Sequence, residues 1–345
     1  MSRHITLLLP GLLDGAVMTG SGLYPDGDPG GDQNGSDIEA LEWLLTLARP
    51  QTQPQTDISS LLWQQASQAG SLPSAALSYR FDFGEMPPGP VLRADPVYLE
   101  ADRDCVRLLS ADLADLELAQ ARQLIDEINT QFSDEPWMLV PGTARRWYLL
   151  LDDEAAIVTH SPAAVLGDNI HDFMPGGEGQ RYWRSIVNEI QMLMFSSPVN
   201  QRRQADGRVP ASSLWLWGEG AAPPVLSLPW VGVYGDEAVV GGMGLQAGLP
   251  VAPVPATAQR LLAMAPPAGQ ILCQPALTAG WPGLLAFNHD WALPLYKALQ
   301  RGSGFRSRPQ LDSLEILTGN GVSYALSAGK RRWWQRRQRI DSFMD

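Results

Sequence analysis

The chain opens with Ile5-Thr-Leu-Leu-Leu9, an almost unbroken apolar run stopped abruptly by Pro10-Gly11. The run is far short of the roughly 20 apolar residues that cross a bilayer. It also lacks the alternation of a strand with one face in water. It therefore predicts a strand buried on both faces, and so a parallel sheet covered by helices, which narrows the fold class to α/β. The 345 residues allow one large α/β domain or a core with an insert. With 33 glycines and 28 prolines there are too many turns for a helical bundle.

Periodicity places the remaining elements. Residues 20–36, rich in Gly, Asp, Pro and Asn, form a polar loop, and Ser36 or Asp37 then caps a helix to about Ala48. Asp57 opens a second helix, residues 75–83 look strand-like, and Met86-Pro-Pro-Gly-Pro90 is a stiff connector. Short strands at 97–99 and 106–109, an amphipathic helix at 116–132 and a hairpin at 137–151 then follow, an order that predicts a small α+β unit. The expected organisation is an α/β core of 1–94 and 166–329, an α+β insert at 95–165, and a basic aromatic tail at 330–345. Within the core the pattern gives a helix from Gln180 to about Phe195, strands at 213–217 and 231–240, a strand at 271–273, a helix at 291–300 and a hairpin at 314–326.

Charge excludes some partners. The net charge is −12, and Lys330–Arg339 carries six basic residues and no acid, so the rest of the chain stands at −18. Such a body repels a phosphate backbone, which argues against general nucleic-acid binding. The tail, with Trp333 and Trp334 among its arginines, is expected to dock on the chain's own acidic surface. Cys105 and Cys273 are too isolated for a disulfide framework or a Cys-x-x-Cys metal site. No transmembrane segment and no cleavable leader are read, so the expected location is the cytoplasm. A protein partner and the oligomeric state are left open.

The candidate chemistry is sparse. The four histidines, His4, His160, His171 and His289, are in no zinc-binding spacing. His171-Asp172 and His289-Asp290 are the His-Asp neighbours. The nearest approach to a Gly-x-Ser-x-Gly nucleophile turn is Gly321-Val-Ser323-Tyr-Ala325, with no histidine after it, which excludes a hydrolase of that type. Gly218-Glu-Gly220 and Gly241-Gly-Met-Gly244 each follow an expected strand, where a parallel sheet places its ligand loops. Neither matches a phosphate-binding motif. Asn200 and Arg203 are expected to be buried and to hold turn carbonyls, those of the Gly218–Gly220 loop being the nearest candidates.

Asn200, Arg203 and Gly207 followed by Trp215-Leu-Trp217-Gly218-Glu-Gly220 resemble a segment of the archaeal-type cofactor-independent phosphoglycerate mutases of the alkaline-phosphatase superfamily. Leu166-Gly-Asp-Asn-Ile-His171-Asp172 and Pro175-Gly176 are similar too. Arg93-Ala-Asp-Pro-Val97, Arg146-Trp-Tyr-Leu149 and Asn188-Glu-Ile-Gln-Met-Leu193 look closer still to uncharacterised proteobacterial proteins, often labelled phosphoglycerate mutase or pathogenicity-factor regulatory protein. The resemblance implies an alkaline-phosphatase/phosphoglycerate-mutase-like core with a small α+β insert. For the mutases it implies two divalent metals on Asp and His ligands and a serine nucleophile. Here the first-ligand position reads Leu9-Pro10-Gly11, Asp14-Gly15 is displaced by four residues, and the later Asp-His-Gly motif is absent.

The resulting expectation is a non-catalytic cytoplasmic regulatory or scaffold protein derived from a phosphoglycerate mutase, without metal or cofactor. A remnant pocket or structural motif would involve Gly11, Asn200, Arg203, Trp217, Gly218, Gly220, His171 and Asp172. The alternative is a phosphoglycerate mutase or other metal-dependent phosphotransferase with a rearranged site of Asp14, His289 and Asp290.

Overall fold

The computed structural model describes residues 2–13, 37–54, 57–66, 70–102, 105–110, 113–300, 309–329 and 336–344. The strands in chain order are β1 (Arg3–Leu8), β2 (Arg49–Thr52), β3 (Val91–Asp102), β4 (Cys105–Ser110), β5 (Trp137–Pro141), β6 (Trp147–Leu151), β7 (Ser213–Trp217), β8 (Trp230–Tyr234), β9 (Val251–Ala252), β10 (Gly269–Cys273), β11 (Ser313–Leu317) and β12 (Val322–Ser327). The chain divides into two compact units, 1–68 with 226–345, and 69–225.

In the first unit the opening run is a central strand. β1 pairs in parallel with β10 on one side and β11 on the other. The sheet order is β2-β12-β11-β1-β10-β8-β9, antiparallel only at the β11–β12 and β12–β2 steps. Side chains alternate across the sheet, so Ile5, Leu7, Ile271, Cys273, Leu314 and Ile316 share one core with Leu41, Leu44, Leu261, Leu284, Trp291 and Leu295 from the helices. The tail joins this core through the fully buried Ile340. Arg337 reaches Glu39 at 3.2 Å and Glu42 at 3.3 Å on the Glu39–Leu47 helix. Trp333 and Trp334 lie outside the described residues.

In the second unit, β3 is the organising strand. Its first half pairs with β6 and β7 and its second half with β4, all antiparallel, while β5 closes the sheet beyond β6. The Leu118–Gln131 and Gln180–Ser196 helices bury Leu124, Ile125, Ile128, Trp183, Ile186, Ile190 and Met194 in one cluster with Leu92, Trp147, Leu214 and Leu216. That shared cluster draws 166–225 into this unit, which is wider on both sides than the 95–165 segment expected. The edge strand β5 is capped by a side chain: Asn129 accepts from the Leu139 N–H and donates to its carbonyl, both at 2.9 Å.

Two elements differ in kind from the sequence expectation. Residues 74–83 form a helix, Ser74–Phe83, rather than a strand. Its first six residues are buried in succession, and so short a run carries no period to tell the two apart. Residues 231–240 are a strand only to Tyr234; the Ala238–Gln246 helix follows, capped by the Glu237 carboxylate, which accepts from the Val240 N–H at 2.7 Å. The Gly241–Gly244 cluster is thus helix interior rather than ligand loop. A Cβ on Gly244 would sit 2.8 Å from Val251 and 2.9 Å from Val233, so the glycine lets the helix lie directly on the strands.

Candidate functional site

Open α/β sheets bind ligands beyond the carboxyl ends of their parallel strands. In the first unit, main-chain pairing continues past the ends of β1 and β11 among the described residues. The Leu9 N–H donates to the Leu317 carbonyl at 2.9 Å, and the Gly11 N–H donates to that of Thr318 at 3.2 Å. The Thr318 hydroxyl turns back to the Val322 carbonyl at 2.7 Å. Glu237 is occupied in capping its helix. Asp14, Asp26, Asp28 and Asp32 lie outside the described residues.

His289 and Asp290 occupy a single π-helical turn, Asn288–Ala292, between the helices Trp281–Phe287 and Leu293–Leu299. The imidazole Nδ1 lies 2.7 Å from the Asp290 carboxylate, and the two side chains are 82% and 41% exposed. The buried side of the same turn is Trp291 and Ala292. At about 1.5 Å per residue the pair stands roughly 12 Å down the helix from its start beyond β10.

The other histidines are placed elsewhere. His4 lies within β1, with Nδ1 2.6 Å from the Ser313 hydroxyl. The His160 ring meets Phe173 edge-on. His171 and Asp172 are exposed on the short turn Ile170–Phe173, which the Asn169 side chain caps. Among the described residues no three His, Cys, Asp or Glu side chains gather as a metal site.

The second unit holds the densest charge chemistry. Arg93 and Asp95 stand two apart on β3 and so share a face. Both are buried, and they form a doubly bonded pair, with Nη2 2.7 Å from Oδ2 and Nε 3.0 Å from Oδ1. The strand neighbours of Arg93 in the register, Trp217 and Tyr148, set their ring centroids 4.9 and 5.6 Å from its guanidinium carbon. The Trp217 indole N–H donates to Asp95 at 2.7 Å, and the Trp147 N–H donates to it at 3.3 Å. The Tyr148 hydroxyl donates to Asp82 at 2.7 Å, and Arg146 grips the same carboxylate at 2.5 and 2.9 Å. Burial pushes the Tyr148 phenol above its ordinary range, with Arg93 pulling the other way. Asp95 is bonded on both oxygens, and the cluster ties three strands together.

Asn200 and Arg203 are both about 1% exposed on the Pro198–Ala205 helix. The Asn200 amide donates to the carbonyls of Met194 and Ala211 at 2.7 Å each and accepts from the Ala211 N–H at 3.0 Å. Arg203 donates to the Val209 carbonyl, to Gln120 and to the main chain and carboxylate of Asp115. The carbonyls held are therefore not those of Gly218–Gly220. That loop follows an antiparallel strand and is clamped separately. Gly218, at φ 80°, accepts from the Ala75 N–H and donates to Thr159 Oγ1. Glu219 accepts from the Thr159 N–H at 3.0 Å and from its hydroxyl. Gly11 belongs to the first unit, and Gly218 and Gly220 to the second.

No family model matches the chain. It is 27% identical over 193 residues to the probable 2,3-bisphosphoglycerate-independent phosphoglycerate mutase of Geobacter sulfurreducens, covering 54% of this chain and 48% of that protein. It is 30% identical over 106 residues to the 2,3-bisphosphoglycerate-independent phosphoglycerate mutase of Methanosarcina barkeri, covering 30% of this chain and 27% of that protein. Over these segments the chain is similar to 2,3-bisphosphoglycerate-independent phosphoglycerate mutases. The PH0037 protein from Pyrococcus horikoshii has the same fold, with a TM-score of 0.52 at 11% identity over 98% of this chain and 90% of that one. The architecture the two share is an α/β fold. The matched segments span less than half the length of either curated relative.

The mutase resemblance implies a pair of divalent metals, and the described residues do not fit one. An aspartate is required where β1 ends, and Leu9 stands there fully buried. The resemblance also implies histidine ligands, and His289 is exposed on a helix. No step through a metal is derived for this chain.

Proposed function

We propose that this chain is a non-catalytic relative of the phosphoglycerate mutases, acting in the cytoplasm as a regulatory or scaffold protein without metal. The observation that carries this reading is the place of His289 and Asp290. The pair with which a rearranged mutase site would have to begin points into solvent from the middle of a helix. The bonds at Leu9 and Gly11 agree with it, because those two N–H groups are taken up by neighbouring main chain. A protein partner is the fitting target for such a chain, and the strongly negative body favours a basic one. Calorimetric titration of the metal-stripped full chain with Mn²⁺ and with Zn²⁺ tests the reading. The expected result is no saturable heat at micromolar concentrations. Stoichiometric micromolar binding, lost in Asp14→Asn or His289→Ala, would establish the rearranged phosphotransferase instead.

A further inference from the structure

The second unit contains a cavity of about 200 Å³ whose lining includes Trp137, Tyr182 and Trp183 together with the acidic residues Asp153 and Glu154. Three aromatic rings converge there from distant parts of the chain. Trp137 comes from β5, and Tyr182 and Trp183 come from the first turn of the Gln180–Ser196 helix. The Trp137 and Trp183 centroids are 6.5 Å apart, and Tyr182 meets Trp183 edge-on at 5.0 Å.

The hydrogen-bond accounting of this wall is one-sided. Its side-chain donors are two indoles and one phenol, and each is already committed. The Trp137 N–H donates to the Tyr182 oxygen at 2.9 Å, Tyr182 donates to Glu135 at 2.5 Å, and the Trp183 N–H donates to the Ala155 carbonyl at 3.1 Å. Burial, then the bond to Glu135, pushes the Tyr182 phenol up to about 12, so it stays neutral. Trp137 and Trp183 are 7% and 5% exposed and Tyr182 39%, so what the wall offers a ligand is chiefly the Tyr182 ring, narrow strips of the two indoles, and carboxylate oxygens. No lysine or arginine lines the cavity to neutralise them. Anions and pure acceptors find no side-chain partner there, whereas a cation finds both the ring quadrupole and counter-charge.

We propose that this cavity binds a small organic cation, an alkylammonium or guanidinium group, seated against the Tyr182 ring beside the edges of Trp137 and Trp183 and balanced by Asp153 and Glu154. The site lies within the second unit and does not depend on the catalytic status of the chain.

The test titrates the full chain with choline and with ethylguanidinium, and in parallel with 3,3-dimethylbutan-1-ol (the neutral isostere of choline) and with glucose. Indole N–H resonances and calorimetry give the affinities. The expected result is saturable millimolar binding of at least one cation, with both neutral probes weaker by about tenfold or more. The relative strength of the two cations tells ammonium from guanidinium recognition. Asp153 and Glu154 are exposed, so the double variant Asp153→Asn/Glu154→Gln keeps the fold and should weaken the cation about fivefold. Tyr182→Phe should retain binding that Tyr182→Leu loses. Equal binding of a neutral probe, unchanged affinity in the double variant, or no saturation by either cation at about 20 mM would overturn the proposal.

Discussion

The two units treat polar chemistry in opposite ways. Where the first unit's parallel strands end, Leu9, Gly11 and Thr318 close on neighbouring main chain, and the sheet shows no converging acids or histidines among its described residues. The second unit buries Arg93, Asp95, Asn200 and Arg203 and bonds each of them several times over. Burying a charge costs several kcal/mol, offset only by good geometry and full satisfaction. Both units meet this cost, the first at Glu42 with Arg337 and the second at more positions, where charge fixes strand register and helix packing. The difference teaches that in this fold the most polar interior need not be the site of chemistry.

The comparison breaks most visibly at Asp95. Asp95→Ala leaves Arg93 buried and unpaired, and should cost about 3–5 kcal/mol in denaturant unfolding. Replacing both partners by apolar residues should recover much of that loss, whereas equal loss in the single and double variants would deny the pair its structural role. Arg203→Ala should cost about 1.5–3 kcal/mol, as for loss of a charged hydrogen-bond donor to carbonyls. Asp115→Asn should matter far less, because its side chain is 48% exposed and the ion pair is screened by solvent. Arg203 holds the Asp115 carboxyl below its ordinary range. That small contribution is thus present near neutrality and disappears as acid protonates Asp115.

In the first unit the expected effects are smaller. Deleting residues 336–345 removes the buried Ile340 and takes Arg337 away from Glu42, which should cost about 1.5 kcal/mol. An unchanged melting temperature after the deletion would show that the tail is not part of this core. Glu315 offers the finest probe. Burial raises its carboxyl pKa, against a lowering bond from Thr6. The folded chain holds that proton more tightly than the unfolded chain, so its contribution is full below about pH 4 and lost as pH rises through the raised value. Glu315→Gln should therefore raise the melting temperature at neutral pH and leave it unchanged in acid. A drop at neutral pH would mean that the carboxylate is a partner the first unit needs.

The legible parts of the fold are those with a period or a stop. Ile5–Leu9 reads as a buried strand because nothing polar but Thr6 interrupts it, and Leu118–Gln131 reads as a helix because its apolar residues recur at helical spacing. Residues 74–83 and 238–246 are misread for the opposite reason, since each opens with a run of successive buried residues, 74–79 and 238–244, whose pattern fits either element. β2 leaves no trace, because Arg49-Pro-Gln-Thr52 is wholly exposed and held by pairing with β12 alone.

The site residues divide in the same manner. Asn200 and Arg203 announce themselves as polar groups at a helix end, but their partners at 115, 120, 194 and 211 come from folding. Arg93 and Asp95 enter the sequence reading only through resemblance. Their spacing, opposite charges two apart in an apolar strand, was the available sign of a same-face ion pair. The aromatic cavity has no local signature at all, because Trp137 and Tyr182 meet across 45 residues.

The central claim, that kinship with the mutases persists without their chemistry, is tested most directly by turnover. Purified full-length chain, supplied with Mn²⁺ and 3-phosphoglycerate, can be followed by ³¹P NMR for the appearance of 2-phosphoglycerate. The account predicts no interconversion above the protein-free blank, with the wild type and His289→Ala indistinguishable. Metal-dependent interconversion that His289→Ala or Asp14→Asn abolishes would contradict it.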